Sequence, residues 1–579
     1  MLCYATMPGV QQNKQVALEH VQRRSEGGAS GQVLSEGEPM SCAVRGTLDA
    51  GDGVVVRAAL WLPAAAAQWL PAAALWLLTA ALWLPAAALW LLTAARELLH
   101  QLWVTRDIPG PPSYPLIGSF LAVAGPQDEL YDKLVALRAE LGPTVKLWLG
   151  PVLVVIVSRP TDLELVFKDP RLQNKPWIMY ASSMEPCLGA GLITMNGDDY
   201  RRHRRIISPS FAQNVLHSFA PSFNANAQRL GERLGELADS GEVFDVAPLS
   251  RMCTSHTVCE TVLSLTADSS RLESDRLAVV QAVYRGVTLM FHRGIRPWYR
   301  WDTLFRLSKN YNEYQEMVRV GDSFVSKVLD LKMESKTQEG QGQAAQPDAA
   351  DPDTGTPAKR NKAFLDHILS SEEGKTLTKD ELSGELKHLV AAANSTTSDT
   401  LAFFLYCMAI RQDVQDKVLE ELDAVFEGDR TREVELDDLP KLKYLERTFK
   451  ETLRYFAPAP IYARQPDRDV KLPSGATLPK GCVVLVSPHF THKDPEVFDP
   501  DRFLPERAAG RHPHAFIPFS AGTRSCIGQR FVLMFLKTAA ATLLRRYHVT
   551  VPEGGPRRVR DIKPIFSLTL HVKGGARIR

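Results

Sequence analysis

One cysteine stands in a setting that could do chemistry: Cys526, in Phe519-Ser520-Ala521-Gly522-Thr523-Arg524-Ser525-Cys526-Ile527-Gly528. A thiolate is a nucleophile and a soft metal ligand. Gly522 and Gly528 permit a tight loop whose backbone can approach a flat macrocycle, Arg524 can meet a carboxylate such as a propionate, and Phe519 can shield the sulfur. Taken alone, a cysteine ahead of a helix reads as a buried, inert residue. Phe, Gly, Arg, Cys and Gly fall at those five offsets by composition in about one chain of this length in ten thousand. The combination points to a thiolate on haem iron, where sulfur pushes electron density toward a trans-bound dioxygen and favours O–O cleavage.

Other residues of chemical interest lie upstream. Glu451 and Arg454 are one helical turn apart, a spacing that usually gives a surface pair worth ~0.2–0.5 kcal/mol. Tyr200-Arg201-Arg202-His203-Arg204-Arg205 reads as a basic helical face, normally solvated. Ala391-Ala392-Ala393-Asn394-Ser395-Thr396-Thr397-Ser398 is small and hydroxyl-rich. On its own it reads as a patch bonding back to helix carbonyls.

In order along the chain, these pieces resemble the cytochrome P-450 superfamily. Phe519 to Gly528 resembles its haem-binding signature. Glu451-Thr452-Leu453-Arg454 resembles its E-x-x-R helix, and Pro500-Asp501-Arg502-Phe503 the segment whose arginine completes that ion-pair network, a structural role. Tyr200 and Arg204 match a W-x-x-x-R helix whose Trp and Arg contact a haem propionate, with Tyr in place of Trp. Arg464, soon after Pro458 and Pro460, matches another propionate-facing position. Ala392 to Thr397 is in register with the oxygen-binding A/G-G-x-D/E-T-T. The resemblance makes Thr396 the alcohol that delivers protons to bound dioxygen, with Ala393 replacing Gly and Ser395 replacing the acid. A hydroxyl can relay a proton but is no proton reservoir at neutral pH.

Within the superfamily, Ala515 to Gly522 followed by Cys526-Ile527-Gly528-Gln529 is most similar to the branch containing fatty-acid omega-hydroxylases and a sterol side-chain hydroxylase. Many fatty-acid hydroxylases of that branch carry a Glu that esterifies the haem. Ala392 occupies that position here, so haem b is expected to be noncovalent apart from the thiolate–iron bond. The resemblance implies a mainly helical fold with small β-sheets, oxygen insertion into a fatty acid, eicosanoid or sterol, and electrons from an NADPH-dependent flavoprotein reductase, with cytochrome b5 as a second donor. It also implies the endoplasmic reticulum membrane, with the catalytic domain on the cytosolic side. Arg524, Arg530, Lys537, Arg545 and Arg546 are candidates for a basic reductase-docking face. Two other readings stay open: a haem-thiolate isomerase or dehydratase acting on lipid peroxides without external electrons, and a nonenzymatic haem or lipid carrier.

The elements that must position these residues are legible in outline. Residues 1–57 lack a period and read as a mobile leader. Residues 58–95 carry no charge and repeat Trp69, Trp76, Trp83 and Trp90 at seven-residue spacing. Charge-free runs beyond ~18 residues usually mark membrane spans, so one span within 72–95, kinked near Pro85, is expected, without a charge bias that fixes its orientation. A proline-rich connector closes the 96–115 segment, and the haem domain is expected over 116–579. Residues 144–157 read as a strand pair turning at Gly150 and Pro151. A polar insertion is expected at 334–362. Thr378 and Glu381 fit a capping box opening a helix that runs to about Ile410, some ~45–50 Å long. A net charge of +2 gives no reason to expect nucleic acid. Eight scattered cysteines without a C-x-x-C pair argue against structural zinc or a disulfide framework, and fit a reducing compartment.

Overall fold

The computed structural model describes residues 72–265, 273–340, 363–492 and 497–579. The expected leader at 1–57 and the first part of the apolar run lie outside the described residues, as does 341–362 of the insertion. The chain divides into two units, Met1–Leu99 and His100–Arg579. Helix α1 (Ala72–Val104) contains Pro85 and continues past the expected end of the apolar run through Arg96 and Glu97. Among the described residues no helix is long and apolar enough to cross a membrane.

The larger unit is mainly helical with small sheets. The expected hairpin is present: β1 (Thr144–Leu149) pairs antiparallel with β2 (Val152–Val157), turning at Gly150 with φ +64°. A fourstranded sheet follows in the order β1-β2-β4-β3, where β3 is Tyr462–Arg464 and β4 is Val483–Val486. β4 runs parallel to β2 and antiparallel to β3, which pairs Arg464 with Val484.

Six helices frame the site: α2 (Gly197–Ile207), α3 (Ala220–Ser240), α4 (Val246–Thr261), α5 (Glu273–Ile295), α6 (Tyr311–Gly340) and α7 (Lys379–Ile410). α6 corrects the expected start of the polar insertion, since helix continues from residue 334 to Gly340. Straight-chain Glu, Lys and Gln in that stretch propagate a helix without needing a buried face. α7 opens as expected: Thr378 Oγ1 accepts the Glu381 amide at 3.1 Å, and Glu381 accepts the Thr378 amide at 2.8 Å.

Two stacked ring pairs fix α8 (Lys443–Tyr455) and the residue that follows it against α7. They are Phe404–Phe449 at 4.0 Å and Phe403–Phe456 at 4.4 Å between centroids. Such pairs add about 0.5–1.5 kcal/mol each beyond their area burial. α9 (Gln529–Leu544) starts just after Cys526, with Phe531 and Phe535 meeting Phe223 of α3 edge-on. A small hairpin, β5 (Pro564–Phe566) and β6 (Leu570–Val572), closes the C-terminal region near α7.

Candidate functional site

The loop before α9 is set by backbone chemistry. Gly522 has φ +70°, and a Cβ there would lie 2.1 Å from the Phe167 carbonyl oxygen. The tight loop expected at Gly522 is present, and the Phe167 backbone also requires a glycine there. Gly528, at φ −86°, is in the ordinary region and has space around it. The Phe519 carbonyl accepts the Cys526 amide at 2.9 Å, closing the turn, while the Phe519 side chain is half-buried.

Protein surrounds Cys526, yet the residue is accessible, so it faces an internal cleft. Burial pushes the thiol up from its ordinary value, and the nearby amides of Gly528 and Gln529, with Arg204, pull it back down. Donors placed at the start of a helix favour the anionic sulfur. The other described cysteines, Cys187, Cys253, Cys259, Cys407 and Cys482, are buried and free.

Helix α7 packs against the apolar cluster that Ile527 of the cysteine loop also meets. Between His388 and Ala409 the side chains that are not fully buried are Leu389, Ala392, Ala393 and Thr396. Their i, i+3, i+4, i+7 spacing is one helical face, and Leu389 and Ala393 pack against the same apolar cluster as Ile527 of the cysteine loop. Thr396 thus lies on the accessible stripe, and Ser395 is buried beside it. Both hydroxyls bond back along the helix, Thr396 to the Ala392 carbonyl at 2.8 Å and Ser395 to that of Ala391 at 3.0 Å, which leaves each oxygen able to accept. A separate apolar pocket lined by Lys387, Val390 and Ala391 opens on a different stripe of α7 and includes neither Cys526 nor Thr396.

The structure brings four cations together at one edge of this region: Lys175, Arg204, Arg464 and Arg524. Burial, then the charges of the three arginines, drives the Lys175 pKa well below its ordinary value. Burial also lowers Arg464, and it lowers Arg524 to about 10. Their partners are neutral. Lys175 donates to the Ile193 carbonyl, Arg204 to that of Ser525, and Arg524 to the Gln173 and Met195 carbonyls and to Asn196 Oδ1. Arg464 donates to the Ala463 carbonyl, while its buried Nε has no hydrogen-bond partner. Among the described residues no carboxylate pairs with any of the four. Clustered, desolvated cations without counter-charge are costly unless an anionic ligand joins them. The two propionates of a haem carry that charge, so the donor set fits the group that Cys526 would ligate.

Lys175 was missed by sequence reasoning, since an isolated Lys before Pro176 gives no signal. Tyr200, expected as a propionate donor, instead gives its one hydroxyl proton to the Thr523 carbonyl at 2.8 Å, with the Arg524 guanidinium 3.3 Å over its ring. Arg201 and Arg205 are exposed as a solvated face should be, whereas Arg202 reaches Glu381 at 2.8 Å. The expected docking face needs correction. Arg524 is buried, Lys537 is buried on the Leu439 carbonyl and Glu446, and Arg545 is buried on the carbonyls of Asp429 and Arg432. These long side chains saturate carbonyls at chain turns, leaving Arg530 exposed and Arg546 half-buried.

Glu451, Arg454 and Arg502 do meet. Arg454 grips Glu451 at 2.7 and 2.8 Å, Glu451 also accepts the Asp499 amide at 2.8 Å, and Arg502 Nε lies 3.5 Å away. Burial works against the Arg454 charge, but Glu451 outweighs it and the pKa stays raised. His492 ties this network to the cysteine loop. Its Nε2 accepts the Ile517 amide at 2.8 Å, so Nδ1 carries the proton and faces the Arg454 carbonyl at 3.3 Å. Burial lowers its pKa to about 3, keeping the ring neutral.

Residues 108–575 match the family profile described as Cytochrome P450. Among curated relatives, Cytochrome P450 4g15 of Drosophila melanogaster is 31% identical over 510 residues, covering 76% of this chain and 87% of that protein. Cytochrome P450 4V2 of Homo sapiens is 32% identical over 449 residues, covering 76% and 83%, and that of Mus musculus is 31% identical over 448, with the same coverage.

Proposed function

Since this chain belongs to the cytochrome P450 family and is a haem-thiolate monooxygenase holding haem b, we propose that it inserts one atom of dioxygen into a lipophilic substrate such as a fatty acid, eicosanoid or sterol. When bound, haem would supply reductive activation of dioxygen. The observation that carries the reading is an accessible Cys526 whose neighbour Ile527 packs against the same apolar cluster as Leu389 and Ala393, members of the accessible stripe Leu389, Ala392, Ala393 and Thr396. Cys526 would hold the haem iron through its sulfur, its anionic form favoured by the nearby Gly528 and Gln529 amides. Lys175, Arg204 and Arg464 offer charge to the propionates, and Arg524 clamps the loop to the segment before α2. Leu389, Ala392 and Ala393 present an apolar wall to the substrate, and Ala392 leaves no carboxylate for a covalent haem ester.

Electrons come from a flavoprotein reductase using NADPH, with cytochrome b5 as a second donor. The protein is held at the endoplasmic reticulum membrane, catalytic unit on the cytosolic side, by the uncharged run at 58–95. A second feature supports a lipid surface. Tyr114, Leu116, Ile117 and Leu121 are exposed, and the Phe120–Trp298 ring contact joins them to exposed Trp298, Trp301, Leu304 and Leu307. Such a contiguous apolar patch needs a partner.

The reduced, carbon-monoxide-bound protein should show the strongly red-shifted Soret band of thiolate ligation, and Cys526→Ala should abolish it. A wild-type spectrum of the imidazole type would overturn the ligand assignment. NADPH with reductase should be required for oxidation of a lipid panel. Turnover of lipid peroxides without either would favour the isomerase reading instead.

A further inference from the structure

The family acid is missing at Ser395, but a carboxylate stands one turn later, in a buried cluster that the reaction scheme above does not use. Asp399 is 3% exposed and follows Ser395 by four residues and Thr396 by three. Residues so spaced share a helix face, about 5–6 Å apart at Cβ, and helical side chains lean toward the preceding turn. Asp399 therefore shares a helix face with the Ser395–Thr396 turn. Three elements around it contribute polar groups. From α5, the Tyr284 hydroxyl donates to Asp399 Oδ1 at 3.2 Å and lies 2.5 Å from Ser398 Oγ. From α4, the Arg251 guanidinium covers the Tyr284 ring at 3.7 Å. From β6, His571 Nδ1 lies 3.0 Å from Asp399 Oδ2, and its Nε2 is 3.2 Å from Thr569 Oγ1.

The contact between Asp399 Oδ2 and His571 Nδ1 is close in distance but lacks hydrogen-bond alignment, and both atoms are buried without another partner. Acid and imidazole held together, unsatisfied and beside a reaction cleft, are where a proton is kept in readiness. We propose that Asp399, recharged by His571, supplies the proton-donating function for Thr396 that this segment lacks at Ser395. The proposal rests on the monooxygenase reading. One proton passes from His571 Nδ1 to Asp399, and on through the hydroxyls of the Ser395–Thr396 turn. His571, 16% exposed at its side chain, is reprotonated from solvent, and no electron moves. Burial, then the Asp399 charge, holds the Tyr284 phenol protonated, so Tyr284 orients the acid and does not compete with it.

The experiment uses the full-length haem-loaded protein with reductase and NADPH. In Asp399→Asn, product formed per NADPH should fall about tenfold or more, with hydrogen peroxide making up the difference, while the red-shifted carbon-monoxide band is kept. Adding Ser395→Asp to that variant should restore product per NADPH to within about threefold of wild type, a rescue that a purely structural role for Asp399 does not predict. A readout independent of turnover is the infrared carboxylate band of Asp399 in the resting protein, isolated as the difference between wild type and D399N. Removing the imidazole in His571→Phe should shift that band, because Asp399 Oδ2 loses the group 3.0 Å away. Wild-type coupling in D399N, absence of rescue, or an unchanged band in H571F each overturns the proposal. A wild type lacking the red-shifted band overturns the monooxygenase reading instead, and leaves the infrared result to be judged by itself.

Discussion

His492 offers a sharp test of how the Glu451 network holds the cysteine loop. His492→Phe removes the acceptor of the Ile517 amide and the donor facing the Arg454 carbonyl, leaving the buried Ile517 amide without its acceptor. An unmet buried donor costs about 1–3 kcal/mol, a sizeable share of a typical domain stability. The pH dependence separates this from a mere packing defect. The folded-state pKa is about 3, depressed by burial from the ordinary 6.5. Below 6.5 the unfolded chain takes up a proton that the folded ring refuses. The neutral ring's contribution is therefore fully present above pH 6.5 and is lost as the pH falls toward 3, by about 1.4 kcal/mol per pH unit. Between pH 7.5 and pH 5 the His492 share of the loss is about 2 kcal/mol. Urea unfolding followed by tryptophan fluorescence at both pH values should show wild type losing that much more than H492F, because other titrating groups are common to both proteins. Equal losses in the two proteins would show that His492 is not held neutral by the fold. A red-shifted band at wild-type intensity in H492F would show that the Ile517 anchor does not position Cys526.

Lys175→Met should act with opposite sign on two measurements. The haem-free protein should gain about 1 kcal/mol or more in urea unfolding as repulsion among four cations is relieved, while transfer of haem to an acceptor protein accelerates. Gly522→Ala combines a positive φ with a clash against the Phe167 carbonyl, and should cost more than about 1 kcal/mol and most of the red-shifted band. Thr378→Ala deletes the cap of α7 and should lower stability by about 0.5–2 kcal/mol without changing product per NADPH. Deleting residues 1–99 should leave part of the protein on phospholipid vesicles, and replacing Leu116, Trp298 and Leu307 by Ser in that variant should release it into solution.

Much of the scaffold could be read from local rules. The 378–410 helix was legible because a capping box is a short-range signal, and the 144–157 hairpin because a dense run of β-branched residues meets breakers at Gly150 and Pro151. The ends of helices were less legible. α1 runs on through Arg96 and Glu97, and α6 through residue 334 to Gly340, since charge and polarity mark solvent contact without stopping a helix.

The site divides along a different line. Residues that their own type at a fixed offset singles out, Cys526, Glu451, Arg454 and Thr396, could be named as candidates before any coordinates. Residues whose meaning depends on what is absent around them could not. Lys175 matters because three arginines and no carboxylate face it, and Asp399 because an imidazole approaches from a strand 172 positions away. Arg545 and Lys537 were misread for the converse reason, since carbonyls at distant chain turns consume their donors. In each case a long-range contact sets whether a charge is neutralised, exposed or stranded. That balance also governs the cleft. Four stranded cations at one edge favour an anionic cofactor, and a stranded acid–imidazole pair beyond Thr396 favours proton movement, so the two ends of the site would be tuned separately by K175M and D399N.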